Sequence, residues 1–118
     1  MPYSEALRDH LANPRNAGTV EDADADVELT NPVCGDRLRL TLRVGGGRVL
    51  GARFLAYGCP PTIACGSALA ELVQGKSLEE AARLTRQDVT QRLGGLPARK
   101  GHAAALAVEA LRAALSEL

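Results

Sequence analysis

Five side chains in this sequence could do metal or sulfur chemistry. Cys34 lies in P-V-C-G-D, with Asp36 two residues on; Cys59 lies in Y-G-C-P-P; Cys65 follows in T-I-A-C-G; His102 ends L-P-A-R-K-G-H. Cys34, Asp36, Cys59 and His102 each stand in a loop at the end of an expected element. Two thiols, a carboxylate and an imidazole so placed suit a tetrahedral site for a soft metal. Cys59 stands at a strand-to-helix junction, where unpaired first-turn amides and the helix dipole favour a thiolate. Each group also has a plainer reading. Cys34 and Cys59 would be inert thiols, Asp36 a turn former and His102 a locally bonded helix-start imidazole. Cys65 falls on an apolar stripe as a small buried residue would, yet it is within about two helical turns of Cys59, close enough to act as a second thiol.

These groups are far apart in the chain, so the elements between them must bring them together. Arg37 to Val44 alternates, with Leu38, Leu40, Leu42 and Val44 on one face and Arg37, Arg39, Thr41 and Arg43 on the other. That is the pattern of a half-buried antiparallel strand. Gly45-Gly46-Gly47 predicts a hairpin turn; it joins two strands and no lysine–serine pair follows, which excludes a phosphate loop. Arg48 to Ala56 returns, with Leu50, Ala52, Phe54 and Ala56 expected on one face. The hairpin would place the Cys34 loop and Cys59 at the same end of a sheet.

Upstream, Ser4 to Leu11 reads as a short helix capped by Ser4 and ended by Asn13-Pro14. Pro14 to Ala25 reads as loop and Val27 to Asn31 as a strand. Asp22, Asp24 and Asp26 alternate like the start of a calcium loop. The sixth position would be Val27 and the twelfth Val33, not the glycine and glutamate required, so that reading is excluded. Downstream, the helix after Pro61 carries Cys65, Leu69, Leu72 and Val73 on one stripe. Ser77 to Glu80, S-L-E-E, is a capping box, and Thr85 to Leu93 reads as another short helix closed by Gly94-Gly95. Leu96 to His102 reads as a loop. A long helix follows to the end, with Glu109, Arg112 and Ser116 as its wet face.

Strands followed by helices indicate an α+β fold, a small antiparallel three-stranded sheet packed against helices with a long C-terminal helix. A chain of 118 residues with 46% hydrophobic content is expected to form one folded domain over 1–118. Its 14 basic and 14 acidic residues give no positive excess, and Tyr3, Phe54 and Tyr57 are its only aromatics, so nucleic acid is not an expected partner. No signal peptide and no membrane span are visible, which points to the reducing cytoplasm. Three cysteines, an odd number, do not suggest a disulfide framework.

With these motifs in this order, the chain resembles the iron–sulfur cluster scaffold family, IscU and the N-terminal domain of NifU. The similarity runs from Y-S-E-A-L-R-D-H and N-P-R-N-A-G through C-G-D, A-R-F-L-A-Y-G-C and G-K-S-L-E-E-A to L-P-A-R-K-G-H. It implies a scaffold or carrier rather than an enzyme, on which iron and sulfide are assembled and then passed to apo-proteins. A cysteine desulfurase would donate sulfur, a transient two-iron (2Fe–2S) cluster would be the cargo, and the isolated protein would have a zinc-loaded form. By position, the family's first two cysteines are Cys34 and Cys59, its motif aspartate is Asp36, and its lysine and histidine are Lys100 and His102.

The family's third cysteine follows that histidine directly, and here the position is Ala103. Cys34, Asp36, Cys59 and His102 still supply four ligands, or Cys65 takes the place of one. Sulfur would arrive as a persulfide on Cys34 or Cys59, and Lys100 would steady anionic sulfide. The loop that an Hsp70-type chaperone reads in this family resembles L-P-P-V-K. Here it is Leu96, Pro97, Ala98, Arg99 and Lys100, with its ends kept and its middle changed. Two alternatives stand beside the scaffold: a zinc-bound sulfur acceptor that activates a desulfurase, and a degenerate member that binds partners without a cluster.

Overall fold

The triple glycine closes the hairpin on which the molecule is built. Gly46 and Gly47 take φ of 59° and 74°, the two left-handed residues that a tight turn between right-twisted strands requires. The computed structural model describes residues 3–32 and 35–118, so Cys34 lies outside the described residues. Three strands, β1 (Ala25–Thr30), β2 (Arg37–Gly45) and β3 (Arg48–Tyr57), form an antiparallel sheet in that order. Around it lie α1 (Glu5–Ala12), α2 (Pro60–Val73), α3 (Leu78–Ala82), α4 (Arg86–Arg92) and α5 (Gly101–Ser116). The fold is α+β, as the order of strands and helices implies. Among the described residues no helix is long and apolar enough to cross a membrane.

Leu38, Leu40 and Leu42 of β2 are buried, as the alternation requires, and each contributes roughly 2 kcal/mol by the area it removes from water. The return strand departs from its expected phase. Arg43 pairs with Gly51 but Val44 pairs with Val49, leaving Leu50 as an extra residue in a bulge. One extra residue reverses the alternation. Val49 therefore enters the core fully buried, and Leu50, expected inside with Ala52, Phe54 and Ala56, is 58% exposed. Val44, beside the bulge, is only half-buried.

The expected polar face of β2 also carries a buried residue. Thr41 is closed off because the segment after α1 crosses over it, and Val20 donates its backbone N–H to Thr41 Oγ1 at 3.0 Å. The same segment pairs with the free edge of β3: Phe54 N–H donates to Asn16 O at 3.0 Å, and Gly18 N–H to Phe54 O at 2.8 Å. An unpaired edge is thereby covered.

α2 packs on β3, α1, α4 and α5 and is buried on nearly every side. Its small residues allow the close approach: a Cβ on Gly66 would sit 2.6 Å from Phe54 Cδ2 and 3.1 Å from Leu38 Cδ1. α5 lies against β1, β2 and α2 through Ala103, Ala104, Leu106, Ala107, Val108, Ala110, Leu111 and Ala114. Glu109, Arg112 and Ser116 are exposed, the wet face read from the sequence.

Ser4 caps α1, Ser77 and Glu80 form the expected capping box at α3, and Thr85 with Asp88 forms a second one at α4. Two boundaries move. β1 starts at Ala25, where Ala25 pairs with Leu42, and ends at Thr30. The loop expected over Leu96 to His102 tightens into one 3-10 turn at Ala98–Lys100 and becomes helix at Gly101, so His102 lies in the first turn of α5.

Candidate metal centre

Arg37 at the start of β2 pairs with Tyr57 at the end of β3. That register sets Asp36 beside Gly58 and Cys59, at the sheet end where α2 begins. Gly35, with φ of 73°, turns the chain into Asp36, and Asn31 donates its N–H to Asp36 O at 2.7 Å, closing the loop. The Asp36 side chain is buried, only 4% exposed. Gly58 makes room for it: with φ of 142°, a Cβ there would lie 2.0 Å from Asp36 Oδ1.

A buried carboxylate needs donors, and the start of α2 supplies them. Cys59, the N-cap of α2, donates its backbone N–H to Asp36 Oδ1 at 3.2 Å. Thr62, one turn in, donates its hydroxyl to Asp36 Oδ2 at 3.1 Å. The Cys59 thiol lies 3.7 Å from the same oxygen and 3.3 Å from Thr62 Oγ1. The free first-turn amides expected beside Cys59 are not there. Pro60 and Pro61 occupy the first two helical positions and carry no N–H, and the Thr62 and Ile63 amides bond to the Cys59 carbonyl.

His102 reaches in from the first turn of α5. Its Nε2 is buried, 3.5 Å from Asp36 Oδ2, and makes no hydrogen bond to the described residues. Cys59 Sγ, Asp36 Oδ2 and His102 Nε2 thus converge, the ligand atoms of the three residues lying within 4.8 Å of one another. An ion bonded tetrahedrally to thiolate, carboxylate and imidazole would set its ligands roughly 3.3 Å apart for N and O and 3.6 Å for S and O. The observed 3.5 and 3.7 Å match those two edges, the third, Sγ to Nε2, falls within 4.8 Å, and an imidazole nitrogen that makes no hydrogen bond is free to present a lone pair to an ion. The donor set, with two of its three edges at tetrahedral length, therefore suits zinc or another soft divalent ion.

Of the residues singled out in the sequence, the structure brings together Asp36, Cys59 and His102. Cys34 precedes Asp36 but lies outside the described residues. Cys65 points elsewhere. It is fully buried in the hydrophobic core, and burial first, then the neighbouring Cys59, pushes its thiol up to about 12. It does not join the three convergent ligands. Ala103, beside His102, faces the core at 1% exposure. Lys100 is the N-cap of α5 and half-buried, while Leu96 and Pro97 are half-buried just ahead of it. A cleft of about 270 Å3 opens beside His102, between Thr30, Asn31 and Pro32 on one side and Leu106 and Glu109 of α5 on the other.

Two site residues are missing from the sequence reading. Gly58 does carry a signal, since a glycine just before an element-ending cysteine marks a close approach. Thr62 carries a fainter signal, a hydroxyl three positions after Cys59 and so one turn along the helix.

The model of the NifU-like N terminal domain matches residues 2–118. The chain is 43% identical over 113 residues to the iron–sulfur cluster assembly scaffold protein IscU 1 of Archaeoglobus fulgidus, covering 96% of this chain and 74% of that protein. It is 40% identical over 121 residues to the scaffold protein IscU of Escherichia coli, covering 99% and 94%. Among solved structures, a nitrogen-fixing NifU-like protein (N-terminal) from Brucella abortus superposes with a TM-score of 0.76 over 97% of this chain and 92% of that one, at 16% identity, a likeness of fold.

Proposed function

Since the chain belongs to the NifU-like N terminal domain family, we propose that it is a scaffold on which iron and sulfide are assembled into a cluster and then passed to apo-proteins. One observation carries the reading to particular atoms: Cys59 Sγ, Asp36 Oδ2 and His102 Nε2, which makes no hydrogen bond to the described residues, converge at the sheet end, and Cys34 is two residues from Asp36 in sequence. Cys34, Cys59, Asp36 and His102 are the cluster ligands, with one carboxylate and one imidazole in place of thiolates. Such a set holds its cargo loosely, which suits a carrier. Cys65 is not a ligand in this reading, because a core thiol held at about 12 resists becoming a thiolate.

Sulfur comes from a cysteine desulfurase. The thiolate of Cys59 or Cys34 attacks the donor's terminal sulfur; a new S–S bond forms as the donor's S–S bond breaks and its thiolate leaves. An external reductant then supplies the two electrons that convert this sulfur to sulfide. Lys100 caps the helix that carries His102, where positive potential steadies the incoming anion. The cleft beside His102 opens one of the ligands to the outside. The segment Leu96, Pro97 and Lys100 offers an Hsp70-type chaperone a contact directly ahead of His102. The work is cytoplasmic, where free thiols persist.

The test is anaerobic reconstitution with iron and sulfide, followed by the visible spectrum of the desalted protein. A persistent charge-transfer band that vanishes in Cys59→Ala is expected. A second reading, a zinc-bound sulfur acceptor that activates a desulfurase, draws on the same N, O and S edge lengths. A colourless protein that retains zinc after reconstitution would replace the first reading with the second. One that holds neither would leave the partner-binding role that Ala103 suggests.

A further inference from the structure

We propose that Thr62 is the positioning residue of this site: its hydroxyl holds the Asp36 carboxylate, beside the Cys59 sulfur, in the arrangement that accepts a metal ion. The inference rests on the metal-binding reading above and adds a residue to it. Thr62 is 1% exposed and sits in the first turn of α2, where its β-branched side chain has few rotamers. Its Oγ1 lies 3.1 Å from Asp36 Oδ2 and 3.3 Å from Cys59 Sγ. A hydroxyl has one proton and two lone pairs, so in the metal-free protein it donates to the carboxylate and accepts from the thiol, and once Cys59 is a thiolate the bond to the carboxylate is the one that remains.

The carboxylate is therefore fixed at both oxygens by one helix turn: Oδ1 by the Cys59 amide, Oδ2 by Thr62. Fixing both oxygens sets the plane of the group and aims a remaining lone pair of Oδ2 toward Cys59 Sγ and His102 Nε2. Without the Thr62 proton, Asp36 could turn about its Oδ1 anchor, and the 3.5 and 3.7 Å edges would no longer be held. Groups that orient a metal ligand from behind typically contribute 10- to 100-fold in affinity.

The experiment titrates the metal-free protein with cobalt(II) alone and reads the affinity and the visible ligand-field bands. Wild type and Cys59→Ala establish the site. Thr62→Val, which replaces the hydroxyl by a methyl, should bind about 10- to 100-fold more weakly with altered bands, and Thr62→Ser should recover most of the loss. If Thr62→Val does not fold, as judged by its metal-free unfolding midpoint, Thr62→Ala removes the same hydroxyl with no added bulk and carries the same expectation. Unchanged affinity and bands in the hydroxyl-free variant overturn the proposal alone. So does a Thr62→Ser protein as weak as the hydroxyl-free one, because Thr62 would then act by packing. A wild type that takes up no cobalt through Cys59 overturns the metal reading and this proposal with it.

Discussion

Two buried polar clusters flank α2, and each contains a histidine and a hydroxyl from that helix. At one, His10 of α1 is 5% exposed, its Nδ1 is 2.7 Å from Ser67 Oγ, and its Nε2 faces Glu71 Oε1 at 3.8 Å. Ser67 also accepts the Arg15 amide at 2.8 Å, and Arg92 holds Glu71 at 2.9 Å. The unpartnered atom there, Arg15 Nη1, belongs to a guanidinium whose other nitrogens meet Asp9 and Glu71. At the other cluster, His102 Nε2 is buried with no hydrogen bond from the described residues. In the first cluster both the histidine and the hydroxyl are satisfied, and it ties α1, α2 and α4 together. In the second it is the histidine itself that lacks a hydrogen bond, with a thiol and a carboxylate facing it, which is how a binding site differs from a staple in the same core.

The comparison breaks most severely at Gly58. In Gly58→Ala the new Cβ would sit 2.0 Å from Asp36 Oδ1, on a backbone with φ of 142° that side chains rarely adopt. Asp36 must leave its pocket or the β3–α2 junction must shift. A loss of about 3 kcal/mol in urea unfolding is expected, from backbone strain and a carboxylate parted from its donors. Cobalt(II) uptake should vanish with it. Wild-type affinity in a Gly58→Ala protein would mean that Asp36 is not held where the metal binds.

A paired substitution sharpens the same contrast. Ser67→Ala removes the partner of both His10 Nδ1 and the Arg15 amide, and should cost about 2 kcal/mol while leaving zinc uptake intact. His102→Ala removes a nitrogen that makes no hydrogen bond and only faces Asp36 at 3.5 Å, so the metal-free protein should lose less than the Ser67→Ala protein, about 1 kcal/mol. What His102→Ala should lose is the rise in unfolding midpoint that zinc confers on the wild type. If zinc stabilises His102→Ala as much as the wild type, the two histidines do not differ in kind.

The sequence made much of this legible because alternation and element ends are local properties. Leu38, Leu40 and Leu42 announce the inner face of β2. Cys59 and His102 each stand beside a helix start, and Asp36 before a strand, so a shared sheet end could be foreseen. The phase of β3 could not. The bulge at Leu50 depends on how the glycine turn sets the register, and register is a property of the pair of strands. Thr41 reads as a polar-face residue because the segment that covers it, through Val20, lies 21 residues away in sequence. Cys65 was ambiguous for a related reason: α2 is enclosed by β3, α1, α4 and α5, so a stripe on its surface does not say which neighbour a residue meets. Thr62 escaped notice because only the fold puts Asp36 within reach of its hydroxyl.

The smallest effect concerns protons and bears on the first cluster. Burial, with Arg15 next, holds the His10 imidazole below its ordinary range; Arg92 adds to this, while Glu71 and Asp9 pull the other way. The folded state therefore favours neutral His10. Above the unfolded value of about 6.5 the imidazole is neutral in both states and its contribution is intact. As pH falls below about 6.5, the unfolded chain takes up a proton that the folded chain refuses, so stability declines toward the lowered folded value. The drop in unfolding midpoint between about pH 8 and pH 5.5 should accordingly be smaller in His10→Asn than in the wild type. Equal drops would mean that protonated His10 is tolerated beside Glu71, and the cluster around Ser67 would then not depend on a neutral imidazole to hold the three helices together.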